Sequence, residues 1–152
     1  MLSVIFSGIV SLFVLYGVRR GFFNNLDVSN RKQRIILYPF IIAVVMFFIG
    51  FVYFLNGPSS LINASVLIII ALLILDFINM KIKVSGHVAV VSSLVVGLLY
   101  SYGSMALFSI FLIPLIAWAR IVERRHTLKE TIVGAISGIL LSVLALYIVQ
   151  LL

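Results

Sequence analysis

From Ile35 to Met80 the chain runs for 46 residues with one charged side chain, Asp76. A helix of that length would be about 69 Å long at 1.5 Å per residue, more than twice the ~30 Å hydrocarbon core of a bilayer. The run must therefore turn back on itself. Asn56-Gly57-Pro58-Ser59-Ser60 is where it can do so, because Gly and Pro break helices while Asn and Ser satisfy the backbone of a turn. This predicts spans over about 35–55 and 61–80. With 64% hydrophobic and 10% charged residues, against roughly a quarter charged in a soluble domain, the chain is expected to be solvated mostly by lipid.

The other apolar runs complete an all-α, integral-membrane bundle. Residues 2–18 form a first run with no positive residue before it and Arg19 and Arg20 after it, the reverse of a cleavable signal peptide, so a retained first span is expected. The run Val88 to Ala119 is long for one helix and short for two. A turn at Ser101-Tyr102-Gly103-Ser104 divides it into spans of about 87–101 and 104–119, and a last span covers about 131–152. Six spans in a single domain over 1–152 result. Gly134 and Gly138 have the small-xxx-small spacing that suits close helix contact, a spacing that also arises often by chance.

Charge supports the count of six. All 11 Lys and Arg fall in the polar stretches 19–34, 81–87 and 120–130, which six spans bring to one side of the membrane. The opposite side, with both termini, then carries no charged side chain. A single span over 88–119 would destroy this asymmetry. The positive-inside rule places the charged face in the cytoplasm. The net charge of +7 points to lipid headgroups or an anionic substrate rather than nucleic acid, because the basic residues sit in short gaps between apolar runs. The absence of cysteine excludes disulfide, thiol and cysteine-ligated metal chemistry.

Both histidines, His87 and His126, lie on the charged face. Histidine is well tolerated at headgroup depth, and that alone would account for them; their neighbours suggest more. Ser85-Gly86-His87 opens a helix, where free N–H groups, a permissive glycine and a hydroxyl suit an anion, and an imidazole beside it could protonate a leaving oxygen. His126 and Glu130 are four apart, so the carboxylate can accept an imidazole N–H and raise the ring's nucleophilicity. Arg120 offers a planar, permanently charged fork for phosphate oxygens. As an alternative, Arg120, Glu123, Arg124 and Lys129 would form an ordinary solvated loop.

Ser85-Gly86-His87 followed by Arg120-x5-His126-x3-Glu130 resembles the second and third signature motifs of the type 2 phosphatidic acid phosphatase (PAP2) superfamily, Pro-Ser-Gly-His and Ser-Arg-x5-His-x3-Asp. The motif order and the six-helix plan agree with it as well. The resemblance implies a phosphatase for lipid phosphates that needs no metal or other cofactor. In it His126 would attack phosphorus, Glu130 would orient His126, and His87 would protonate the departing alcohol. Ser85, Gly86 and Arg120 would hold the phosphate oxygens. Val84 stands where the family has proline, Ala119 where it has serine, and Glu130 where it has aspartate. The first signature, Lys-x6-Arg-Pro, is not intact. Lys81 and Lys83 at the end of the third span could substitute, Asn79 and Lys83 sharing a helical face, or Arg31 and Arg34 could reach over from the first loop; Lys83 is favoured, with Arg34 second. Asp76, seven residues before Lys83, is expected to pair with it or with a first-loop arginine.

A lipid phosphate substrate and membrane lipids are the expected partners. The competing class is a non-catalytic membrane protein that binds or scrambles anionic lipids. Ion or sugar transport is disfavoured, since mid-membrane positions carry only serines and Asn63. A magnesium-dependent transferase would need clustered carboxylates that four acidic residues do not supply.

Overall fold

The computed structural model describes residues 2–26, 28 and 31–151. Among them are six α-helices and one 3-10 segment: α1 (Leu2–Arg19), α2 (Arg31–Phe54), α3 (Ser59–Lys81), α4 (Gly86–Tyr102), the 3-10 segment Gly103–Phe111, α5 (Leu112–Val122) and α6 (Leu128–Leu151). No strand occurs among the described residues. Four helical stretches there are long and apolar enough to cross a membrane: Ile36–Phe54, Ser59–Lys81, the continuous stretch Gly86–Val122, and Leu128–Gln150; α1 adds a shorter apolar stretch, Gly8–Arg19.

The chain forms two compact units, residues 1–69 and 70–152. In the first, α1 packs on α2, with the Phe13 ring stacked on Phe40 at 3.7 Å and Phe6 edge-on to Phe48 at 4.8 Å. Helix α2 starts at Arg31, earlier than hydropathy suggests, because a helix continues past the point where its residues leave the lipid. It ends as the turn residues require. Asn56 takes the left-handed conformation (φ 51°) and the Gly57 N–H bonds the Val52 carbonyl at 2.8 Å, which closes the helix end.

In the second unit α4, α5 and α6 pack pairwise, and the 3-10 segment lies on α4. Gly103 (φ 57°, ψ −133°) reverses the chain within the expected turn at 101–104. The return limb, however, is not the α-helix expected over 104–119. Its first nine residues are 3-10, and α geometry begins only at Leu112. Pro114 contributes to the break, since it has no N–H to bond the Ile110 carbonyl in an α-helix. At about 2.0 Å per residue the 3-10 segment rises about 18 Å and α5 adds about 16 Å, together enough for a ~30 Å core.

Helix α6 lies against α4 through its two glycines. A Cβ at Gly134 would sit 2.7 Å from the Ser85 carbonyl oxygen, and one at Gly138 would collide with the Ala89 carbonyl. The Ser93 hydroxyl donates to the Gly138 carbonyl at 3.1 Å, a hydrogen bond between helices. The glycine spacing is therefore a packing device. Gly138→Ala should lower the detergent melting temperature by several degrees, because the obstacle is backbone that cannot swing away. Gly97→Ala, with nothing within 4 Å of the added carbon, should be neutral or slightly stabilising. Equal melting shifts in the two variants would contradict this packing.

Candidate active site

One helix end and two helix starts build the site, all within the second unit. Helix α5 closes with a Schellman motif: Arg124 adopts φ 56°, its N–H bonds the Ile121 carbonyl at 2.9 Å, and the Arg125 N–H bonds the Arg120 carbonyl at 3.1 Å. The His126 N–H also reaches the Arg120 carbonyl, at 3.2 Å. The backbone of Arg120 thus holds the backbone of His126. The Arg120 side chain is buried and its Nη1 donates to Glu123 at 2.8 Å.

Helix α6 opens on a capping box. Thr127 Oγ1 accepts the Glu130 N–H and Glu130 Oε2 accepts the Thr127 N–H, both at 3.3 Å. The same carboxylate oxygen lies 2.8 Å from His126 Nδ1, whose side chain is only 2% exposed. An Nδ1–H donated to this carboxylate puts the lone pair on Nε2, the nucleophilic form of the ring. Lys83 stands beside the pair, with Nζ 3.0 Å from the Arg125 carbonyl and 3.5 Å from Glu130 Oε2.

The start of α4 completes the cluster. The Ser85 N–H bonds the Glu130 carbonyl at 3.2 Å, which fastens this helix start to the first turn of α6. Ser85 is the N-cap, yet its side chain makes no capping bond; Oγ is fully buried and has no hydrogen-bond partner. Gly86 and the exposed His87 follow on the first turn. The structure therefore gathers Lys83, Ser85, Arg120, His126 and Glu130 in one unit, with Gly86 and His87 next to them.

Other expectations are corrected or fall elsewhere. Helix α3 ends at Lys81, so Lys83 lies beyond it and shares no helical face with Asp76 or Asn79. Its ammonium goes instead to Glu130 and the Arg125 carbonyl, which ends the proposed Asp76–Lys83 pairing along a helix. Lys81 is exposed on the last turn of α3. Arg34 belongs to the first unit, where it is buried and its Nε donates to the Val28 carbonyl at 3.2 Å. The side chain of Arg31 lies outside the described residues. Thr127 was not singled out in the sequence, although Thr127-x-x-Glu130 before an apolar run is a recognisable capping-box signal. Arg124 carries no such signal, since glycine is the usual residue at its left-handed position.

Thr127→Ala should cost about 1 kcal/mol of stability through loss of the cap, while Thr127→Ser should be close to neutral. Thermal unfolding in detergent checks both, and indistinguishable melting of the Ala and Ser variants would count against the capping role.

The sequence model of the PAP2 superfamily matches residues 76–152, just over half of the chain and the stretch that contains this whole cluster. No curated protein and no solved structure matches. Superfamily members are phosphatases, and a capped, carboxylate-oriented histidine beside an unspent hydroxyl at a helix start suits that chemistry. The chain belongs to the PAP2 superfamily.

Proposed function

We propose that the protein is a metal-independent phosphatase for membrane lipids, hydrolysing a lipid phosphate or diphosphate of the phosphatidic acid, phosphatidylglycerol phosphate or polyprenyl diphosphate class. The observation that carries this reading is the bond between buried His126 and half-buried Glu130, in the same cluster as the unpartnered Ser85 hydroxyl. A buried hydroxyl without a partner costs about 1–3 kcal/mol, which a phosphate oxygen would recover.

His126 Nε2 attacks phosphorus, the N–P bond forms, and the P–O bond to the lipid breaks. The departing alkoxide takes a proton from His87. Water, deprotonated by His87, then attacks the phosphohistidine, the N–P bond breaks, and inorganic phosphate leaves with both imidazoles restored. Glu130 holds the attacking ring in one tautomer and stabilises its developing positive charge. Ser85, the Gly86 backbone, Arg120 and Lys83 stabilise charge on the phosphoryl oxygens, with Lys81 at the rim and Arg34 and Arg31 as the more distant candidates in sequence. All of this takes place at the charged surface of a six-span bundle, with that surface in the cytoplasm and both termini across the membrane.

Purified protein in detergent with excess EDTA should release phosphate from at least one member of a lipid phosphate panel, and vanadate should inhibit it. His126→Ala should abolish turnover, and His87→Ala should lower it by about 10²–10⁴. Unchanged activity in both variants overturns the mechanism. For sidedness, a cysteine in place of the exposed Leu26 should resist an impermeant thiol reagent in intact cells and react after permeabilisation. Ready labelling of intact cells would reverse the assignment.

A further inference from the structure

The link between α3 and α4 is short and its second half is buried, so the backbone there must find partners inside the protein. Val84 is 2% exposed and Ser85 is 0% exposed. The Ile82 N–H still bonds back into α3, to the Ile78 carbonyl at 2.9 Å, and the Ser85 N–H crosses to the Glu130 carbonyl at 3.2 Å. Between them, the Val84 N–H is received by a side chain: Asn79 Oδ1, at 3.0 Å and itself 4% exposed. Adjacent residues are thereby tied in two directions, Val84 to α3 and Ser85 to α6.

We infer that Asn79 is a positioning residue for the proposed reaction, setting the placement of Ser85, Gly86 and His87 through its hydrogen bond to Val84. A backbone amide has one proton, and once Asn79 takes it the direction of the chain entering α4 is set on one side. The Glu130 carbonyl sets it on the other. Without Asn79 the chain entering α4 loses its tie to α3, and the His87 imidazole is no longer held where a leaving oxygen would emerge. The inference rests on the phosphatase reading for its kinetic consequence, whereas the tether itself stands on geometry alone.

Two readouts separate these parts. Amide hydrogen exchange at Val84 should be slow in the unaltered protein, fast in Asn79→Leu, and slow again in Asn79→Asp, which keeps an oxygen acceptor of the same reach. Exchange in the middle of α4 and α6 should not change. For kinetics, phosphatidic acid, whose alkoxide leaving group needs a proton, is compared with an alkyl-tailed 4-nitrophenyl phosphate, whose phenolate does not. In Asn79→Leu, kcat/KM, which reports the first displacement and not the shared hydrolysis of the phosphohistidine, should fall at least about tenfold further for phosphatidic acid than for the aryl ester, and Asn79→Asp should recover most of that difference. An equal loss on both substrates reflects simple destabilisation and overturns the positioning role. Unchanged Val84 exchange overturns the tether. An unaltered protein inactive on every phosphate would instead remove the phosphatase reading and with it the kinetic role, while exchange still decides whether the tether exists.

Discussion

The close approach of α4 and α6 is the contact on which the site depends. Between helices in lipid there is no hydrophobic drive to association, since acyl chains are as apolar as leucine; packing and interhelical hydrogen bonds have to supply it. Gly134 and Gly138 supply the packing by letting α6 meet the Ser85 and Ala89 carbonyls directly, and Ser93 adds a bond to the Gly138 carbonyl. The consequence reaches the polar end of the interface. Because α6 can lie so near Ser85, the Glu130 carbonyl can receive the Ser85 N–H, and two motifs more than thirty residues apart in sequence share a backbone hydrogen bond. A larger residue at 134 would separate the helices where that bond has to form.

Glu130 is the second point of convergence. One of its oxygens meets His126, the Thr127 N–H and Lys83, and its own carbonyl meets Ser85. The superfamily pattern has aspartate at this position, one methylene shorter. In the capping box, the glutamate length is what reaches back from the third residue of the helix to the N-cap amide. Thr127 thus turns the longer side chain into a fixed one, and the carboxylate that orients His126 is immobilised by its own helix. Lys83, placed just past the end of α3, adds a positive charge next to that carboxylate without belonging to any helix.

The sequence revealed those features that hydropathy and charge control directly. The reversal at Gly103 was legible because a single span over 88–119 would have scattered the basic residues to both sides. The His126–Glu130 pairing was legible because four residues make one helical turn. What escaped depended on where helices end, which hydropathy does not mark. Treating α3 as continuing to Lys83 put Asp76, Asn79 and Lys83 on one face; the helix stops two residues earlier, and Lys83 turns to Glu130 and the Arg125 carbonyl instead. The left-handed Arg124 and the Asn79–Val84 bond were equally out of reach, because one uses a residue that does not advertise its conformation and the other is a bond from a side chain to a backbone amide across a helix end.

The 3-10 segment bears on the same geometry. Had Gly103–Phe111 been α-helical, its nine residues would rise about 4–5 Å less, at about 1.5 instead of 2.0 Å per residue. That shortfall would be passed along α5 to its last turn, where Arg120 lies. Arg120 would shift by that amount, and its carbonyl, which receives both the Arg125 and the His126 N–H, would move with it. The steeper rise therefore lets a limb of twenty residues deliver Arg120 to the His126 backbone, whose ring meets Glu130. Long 3-10 runs are uncommon because their hydrogen bonds are poorer. Here the weaker geometry is offset by what it places at its far end: the guanidinium, and the backbone oxygen from which the buried histidine hangs.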